Sequence, residues 1–150
     1  MRRTTAGIRI AGLAAALPIV AVACGGGSGN ASAKAPTKLA HSCPAGAGLG
    51  TKVNDQGVKV ATGTKVETEA NDSFFTPTCI TKVPAGTAMV TVSNFGTSLH
   101  NISIPAQGIN QDIQPGQTVK VDVTVGTSPV QFFCKYHKSS GMVGALIPGA

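Results

Sequence analysis

Apolar and polar residues alternate in short runs over the second half of the chain, and turns that contain Gly or Pro separate the runs. The clearest run is residues 119–125, VKVDVTV. Because successive side chains of a β-strand point to opposite faces, its four valines should face one side and its three polar residues the other. From residue 55 onward the turns recur about every 8–12 residues, a spacing typical of β-sandwiches and barrels.

The apolar and alternating runs predict eight candidate strands. Their ranges are 58–62, 65–70, 80–83, 88–94, 100–104, 118–125, 130–134 and 142–147. No long stretch repeats apolar residues with the period of a helix. We therefore predict an all-β fold, a sandwich or barrel of about seven to eight strands.

The composition agrees with short strands joined by turns. Of the 150 residues, 42% are hydrophobic and 12% are charged, and 19 glycines and nine prolines are available for turns. A chain of this length has room for one domain once a targeting segment is set aside. We therefore expect a single core.

The formal charge of +6 overstates how basic the mature protein should be. Arg2, Arg3 and Arg9 lie in a segment that we expect to be removed, which leaves nine lysines against six acidic residues, or about +3. These lysines are spread along the chain and form no basic run with interleaved aromatic residues. Such a run is the usual signature of nucleic-acid binding, so we expect no nucleic-acid partner.

The N-terminus has the parts of a secretion signal: a basic start, an apolar middle and small residues before a cysteine. Residues 21–24, AVAC, resemble a bacterial lipobox, in which cleavage leaves the cysteine as a lipid-bearing N-terminus. This resemblance implies a lipoprotein signal peptide at 1–23 and a lipid on Cys24. Ordinary secretion, with Cys24 incidental, is the alternative.

Residues 24–54 are rich in Gly, Ala, Ser, Lys and Pro, a composition that predicts a flexible tether between the lipid and a domain at 55–150. A multiply acylated Cys24 would hold the protein on a membrane. We therefore expect a lipid-anchored protein on the extracytoplasmic face of the cell membrane. No apolar run of about 18 residues follows the N-terminal segment, so the sequence offers no second membrane span.

The four cysteines, at 24, 43, 79 and 134, form no C-x-x-C pair, so neither a zinc ribbon nor a thioredoxin-like motif is present. If Cys24 carries lipid and Cys134 binds metal, Cys43 and Cys79 remain, and an oxidising compartment favours a disulfide between them. Two free thiols, or a second metal site with His41, are the alternatives, although no ligand spacing supports such a site.

The strongest chemical signal is the loop from Cys134 to Met142, which has the spacing C-x2-H-x4-M and includes His137. His100, in the sequence Ser-Leu-His-Asn, lies upstream. A thiolate and a thioether favour Cu(I), and imidazole serves both Cu(I) and Cu(II). The four side chains therefore predict one copper ion per chain in an electron-transfer site. Four protein ligands leave no position for substrate, which argues against an enzyme.

Over residues 55–150 the chain resembles the cupredoxins, in particular the plastocyanin and pseudoazurin type of type 1 blue copper proteins. Besides the Cys134 loop, the matching pieces are 71–77 (NDSFFTP), 80–87 (ITKVPAGT), 94–96 (NFG) and 100–101 (HN). The resemblance implies a Greek-key β-sandwich or barrel. It also implies that His100 and His137 bind copper through Nδ1, Cys134 through its thiolate and Met142 as a long axial ligand.

The resemblance assigns further roles around the copper. Asn101 would connect two loops and present its backbone N–H to the Cys134 sulfur, and a hydrogen bond of that kind tunes the reduction potential. His137 would be the ligand at the solvent edge through which electrons leave. The chain departs from the plastocyanins at Lys135 and Tyr136, where those proteins usually have a small residue and a proline.

The function that these features predict is a monomeric single-electron carrier that exchanges electrons with extracytoplasmic redox proteins and is not itself an enzyme. A copper-delivery protein with the same fold is the alternative, but such proteins depend on exposed Met- and His-rich tracts, and this chain has three methionines. A nitrite reductase or multicopper oxidase would need further copper ligands and usually a second domain. A binuclear copper domain would need a second cysteine in the loop.

Overall fold

The computed structural model describes Leu39 and residues 41–149; the predicted signal peptide and Cys24 lie outside these residues. The described part contains ten strands and three single-turn 3₁₀ helices, and none of its helices is long and apolar enough to cross a membrane. The strands are β1 Val58–Val60, β2 Lys65–Asn71, β3 Phe74–Thr76, β4 Cys79–Val83, β5 Gly86–Asn94, β6 His100–Ile104, β7 Ile109–Ile113, β8 Thr118–Val125, β9 Val130–Phe133 and β10 Val143–Pro148. The 3₁₀ helices are Ala45–Ala47, Pro105–Gln107 and Lys138–Ser140.

The strands form two mixed sheets. The larger sheet has the order β1-β4-β10-β9-β6-β7, and the smaller has the order β3-β2-β5-β8. β4 is parallel to both β1 and β10, and β2 is parallel to β5, whereas the other pairs are antiparallel. The all-β prediction is confirmed, with ten strands where about seven to eight were expected.

All eight predicted strands are present, and the two additional ones carry weak sequence signals. β3 is three residues long and follows β2 after a tight turn, so it is too short for an alternation to be visible. β7 has the sequence INQDI and lies at the edge of the larger sheet, where three polar residues in a row face mostly solvent. A polar edge strand of this kind does not show the apolar pattern by which strands are predicted.

The core lies between the sheets and is built from the buried face of each strand. In β8 the apolar positions are more buried than the polar ones, with Val123 and Val125 fully buried, as the alternation predicts. Phe75 of β3 and Phe132 of β9 pack edge to face with their ring centroids 5.0 Å apart. Cys134 and Met142 belong to the same buried cluster, so two of the predicted copper ligands are part of the core.

A second, smaller apolar cluster forms where the chain before β1 contacts the larger sheet. We call residues 43–57 the N-terminal arm. A disulfide joins Cys43 of the arm to Cys79 of β4, and Ala47 packs with Cys79 and Ala145. The Asp55 carboxylate accepts hydrogen bonds from the main-chain N–H groups of Cys43, at 2.9 Å, and Gly57, at 2.8 Å. Part of the segment predicted as a tether thus contacts the sheet; the domain boundary at 55 stays a prediction.

Candidate metal centre

The ends of three strands bring the predicted ligands together. His100 is the first residue of β6, Cys134 directly follows β9, and Met142 directly precedes β10. The chain between Cys134 and Met142 contains the 3₁₀ helix Lys138–Ser140 and places His137 at its start. Because β9 pairs with both β6 and β10, the three strand ends lie side by side.

Main-chain hydrogen bonds close the loop between β9 and β10. Cys134 N–H donates to the Met142 carbonyl at 3.1 Å, and Met142 N–H donates to the His137 carbonyl at 3.2 Å. His137 N–H donates in turn to the Cys134 carbonyl at 3.1 Å. The three loop residues are therefore fixed relative to one another by the backbone before any metal is considered.

The donor atoms of three side chains surround one point. Cys134 Sγ lies 3.8 Å from His100 Nδ1 and 3.5 Å from His137 Nδ1, and the donor atoms of all three residues lie within 4.8 Å of one another. A first-row metal ion bound at about 2.0–2.3 Å with tetrahedral or trigonal angles requires sulfur-to-nitrogen separations of about 3.5–3.8 Å. The arrangement therefore fits one metal ion, and Cys134 is a free, buried cysteine.

Met142, the fourth predicted ligand, lies in the same loop. Its side chain is fully buried, and its main chain is hydrogen-bonded to both Cys134 and His137. One thiol, two imidazoles and one thioether form a softer donor set than the oxygen ligands that Mg²⁺ and Ca²⁺ prefer, and this set suits copper.

Burial favours the neutral, metal-binding form of His100. The pKa of His100 is lowered mainly because burial keeps water away from the ring, and secondly because of the charge on the nearby His137. The charge of Asp72 acts in the opposite direction and raises the pKa. Imidazole binds metal in its neutral form. His100 Nε2 is buried without a hydrogen-bond partner, and Gly96 packs against it so closely that a Cβ atom at Gly96 would lie 2.8 Å from this nitrogen.

The predicted ligands differ in their access to solvent. His100, Cys134 and Met142 are fully buried, whereas His137 is half-buried. The two imidazole rings are adjacent, with centroids 4.9 Å apart. His137 is therefore the side chain of the site that reaches the protein surface.

The side chain of Asn101 connects β6 to β7. Its Nδ2 donates to Asn110 Oδ1 at 2.9 Å and to Asp112 Oδ1 at 2.8 Å, and its Oδ1 accepts a hydrogen bond from the Ser103 hydroxyl. This network fixes the strand that carries His100. The hydrogen bond from the Asn101 backbone to the Cys134 sulfur stays a prediction.

Asp112 is a residue of the site region that the sequence did not reveal. Its carboxylate accepts hydrogen bonds from Lys135 Nζ at 2.7 Å and Tyr136 OH at 2.9 Å, in addition to the one from Asn101. The hydrogen bond from Lys135 is the largest cause that lowers the pKa of Asp112, followed by those from Asn101 and Tyr136. The same pairing raises the pKa of Lys135. One carboxylate thus connects the start of β6, which carries His100, to the loop that carries Cys134 and His137.

No sequence signal identified Asp112, because it lies in the polar edge strand β7 and its partners are distant in sequence. The departure at Lys135 and Tyr136 was visible, and the structure gives these residues a role in holding the loop against β7. His41 is exposed, and the potential metal-binding group found among the described residues consists of His100, Cys134 and His137.

A comparison with sequence profiles matches residues 48–147 to the family described as a cupredoxin-like domain. No curated protein matches the sequence. Among solved structures, the metal-binding domain of the Cu(I)-exporting P-type ATPase CopA of Streptococcus pneumoniae D39 is 16% identical, with a TM-score of 0.51, and the match covers 61% of this chain and 94% of that one.

Two further matches are to auracyanin and to a plastocyanin. Auracyanin from Roseiflexus castenholzii is 19% identical with a TM-score of 0.49, and the match covers 58% of this chain and 98% of auracyanin. A mutant fern plastocyanin is 25% identical with a TM-score of 0.44, and the match covers 55% of this chain and 98% of the plastocyanin. The similarity to the CopA domain supports the fold and nothing beyond it.

Proposed function

Because the chain belongs to the cupredoxin-like domain family, we propose that it is a single-electron carrier with one type 1 copper ion, held outside the cytoplasmic membrane by a lipid on Cys24. The observation that carries this proposal is the convergence of His100 Nδ1, His137 Nδ1 and Cys134 Sγ around one point. Met142, buried in the same loop, would be the fourth ligand.

Copper bound by these residues would supply a Cu(II)/Cu(I) couple that accepts and releases one electron. The protein supplies the ligands and keeps them in place. Cys134 would bind as the thiolate, and both histidines as neutral imidazoles, the form that burial favours for His100. Since one electron arrives and one leaves, no bond to a substrate forms or breaks.

Burial and hydrogen bonding favour electron transfer over catalysis. The loop is closed by three main-chain hydrogen bonds, and His100, Cys134 and Met142 are fully buried. Ligands held in this way need to move little between the two oxidation states. A catalytic metal site keeps a position open for water or substrate, and a site with four protein ligands leaves none.

The half-buried His137 is the part of the site best placed to exchange electrons with other proteins. We propose that the donors and acceptors are extracytoplasmic redox proteins and that the carrier acts as a monomer. The lipid would restrict its diffusion to the membrane surface, where a membrane-bound partner is encountered more often.

Copper delivery is the second candidate, because the CopA domain shares the fold. The burial of Cys134 and His100 argues against it, since a delivery protein must release its metal to another protein through exposed ligands.

Two measurements on the copper-loaded full-length protein separate the two functions: the rate of electron self-exchange and the rate of copper loss to a Cu(I) chelator. We expect fast self-exchange and slow copper loss. Slow self-exchange together with rapid copper loss would contradict the carrier proposal.

A further inference from the structure

The residue before the predicted axial ligand is in direct contact with the N-terminal arm. Asn54 N–H donates to the Gly141 carbonyl at 3.0 Å. A Cβ atom at Gly141 would lie 3.0 Å from Asn54 N, 3.3 Å from Val53 C and 3.4 Å from Lys52 O. The arm backbone therefore lies against the loop so closely that only glycine fits without a shift, and Gly141 also has a φ of +90°, which favours glycine.

The arm is also attached to Thr78, the residue before β4. The buried Thr78 hydroxyl accepts a hydrogen bond from Gln56 N–H at 2.8 Å and donates to the Phe75 carbonyl at 3.0 Å. Thr78 N–H donates to the Gly57 carbonyl at 3.1 Å. These bonds fix the arm two to three residues after Asn54.

The beginning of the arm is also fixed. The disulfide ties Cys43 to Cys79, the residue after Thr78, and the Asp55 carboxylate bonds both Cys43 N–H and Gly57 N–H. Both ends of the arm are thus linked to the chain at the start of β4, through Cys43 at one end and Gln56 and Gly57 at the other. Asn54 projects its N–H from the arm toward Gly141.

We propose that the N-terminal arm is a positioning element for Met142, which it holds through the hydrogen bond from Asn54 to Gly141. The inference rests on the proposed function, in which Met142 is the axial copper ligand. A thioether would be the weakest of the four ligands, and the identity and placement of such a ligand tune the reduction potential of a copper site. Fixing the residue next to Met142 is therefore an effective way to set the properties of the site.

Two variants that weaken the attachment of the arm (the arm variants) and one matched control test the proposal. Thr78→Val removes the hydroxyl that holds Gln56, and Asp55→Ala removes the carboxylate inside the arm without changing the core. The control is Thr76→Val, because the Thr76 hydroxyl is buried nearby but has no hydrogen-bond partner. Each full-length variant is examined with copper, for its midpoint potential and the intensity ratio of its charge-transfer bands, and without copper, for amide hydrogen exchange at Asn54, Cys134 and Met142.

We expect both arm variants to shift the potential and the band ratio, and to accelerate exchange at Asn54 and Met142 by about tenfold, the effect of losing one hydrogen bond. Thr76→Val should match the parent protein in all of these measurements. If exchange at Asn54 accelerates while the potential, the band ratio and exchange at Met142 stay unchanged, the arm does not position Met142.

The exchange measurement also separates this proposal from the proposed function. If the parent protein shows no charge-transfer bands with copper, the copper proposal fails, and exchange at Met142 in the copper-free variants alone decides whether the arm holds the loop. Unchanged exchange at Met142 in both arm variants overturns the inference, and accelerated exchange that Thr76→Val does not reproduce supports it.

Discussion

Replacing Gly96 by alanine should disturb the imidazole of His100 while all four predicted ligands are kept. The added Cβ would lie 2.8 Å from His100 Nε2, about 0.6 Å less than the 3.4 Å at which ordinary van der Waals contact begins. It would also lie 3.1 Å from Asp72 Oδ1 and 3.3 Å from the carbonyl carbon of Asn71. Relief of this overlap requires either a tilt of the imidazole or a shift of the turn that carries Gly96.

The turn resists a shift because its main chain is hydrogen-bonded. Gly96 N–H donates to Asn94 Oδ1 at 2.9 Å and lies 3.2 Å from the Ala70 carbonyl, which also accepts from Phe95 N–H at 2.9 Å. The imidazole is therefore the group that moves. A tilt would also displace His100 Nδ1, the nitrogen that a bound ion requires to stay in place.

We expect Gly96→Ala to weaken copper binding by about 10- to 100-fold, the usual effect of disturbing a group that orients a ligand. The free energy of unfolding of the copper-free protein should fall by about 1–3 kcal/mol, the usual cost of overpacking. Copper affinity is measured by competition with a chelator, and stability by chemical denaturation. Gly126→Ala is the control, because nothing lies within 4 Å of the position of its Cβ. Equal copper affinity in the two variants would refute the reasoning.

Three other perturbations have defined outcomes. The double variant Cys43→Ala/Cys79→Ala removes a cross-link between residues 36 apart in the sequence. The free energy of unfolding, measured by thermal or chemical denaturation, should fall by about 3–4 kcal/mol, and an unchanged value would contradict the disulfide. Asp112→Asn should accelerate copper loss to a chelator by about tenfold, because three hydrogen bonds to the carboxylate weaken. The control is Asp122→Asn, a change at an exposed aspartate that should leave the rate of copper loss unchanged. Cys24→Ala should move the protein from the membrane to the soluble fraction, and its persistence in membranes would count against the lipid.

The sequence revealed the parts of this fold and site that depend on nearby residues. Cys134, His137 and Met142 lie within one loop, so their spacing is visible in the sequence, and the alternation in β8 predicted its buried face. The resemblance to the cupredoxins is confirmed at the level of the family by the match over 48–147. Copper ligation by the four residues stays a prediction.

The features that the sequence did not reveal depend on contacts between distant segments. Asp112 meets Lys135 and Asn101 only because β6 and β7 are paired and the ligand loop folds over them. The contact between Asn54 and Gly141 joins residues far apart in the chain, and the arm that makes it has the composition of a flexible linker. Local patterns carry no information about such pairs, since they arise from the register of the sheet.

The most direct test of the central claim is the visible absorption of the purified full-length protein during addition of Cu(II), compared with Cys134→Ser. A type 1 site predicts an intense blue or green colour from thiolate-to-copper charge transfer, saturating at one copper per chain, bleached by one electron and absent from Cys134→Ser. A colourless copper complex of the parent protein, or a colour that survives in Cys134→Ser, would contradict the account.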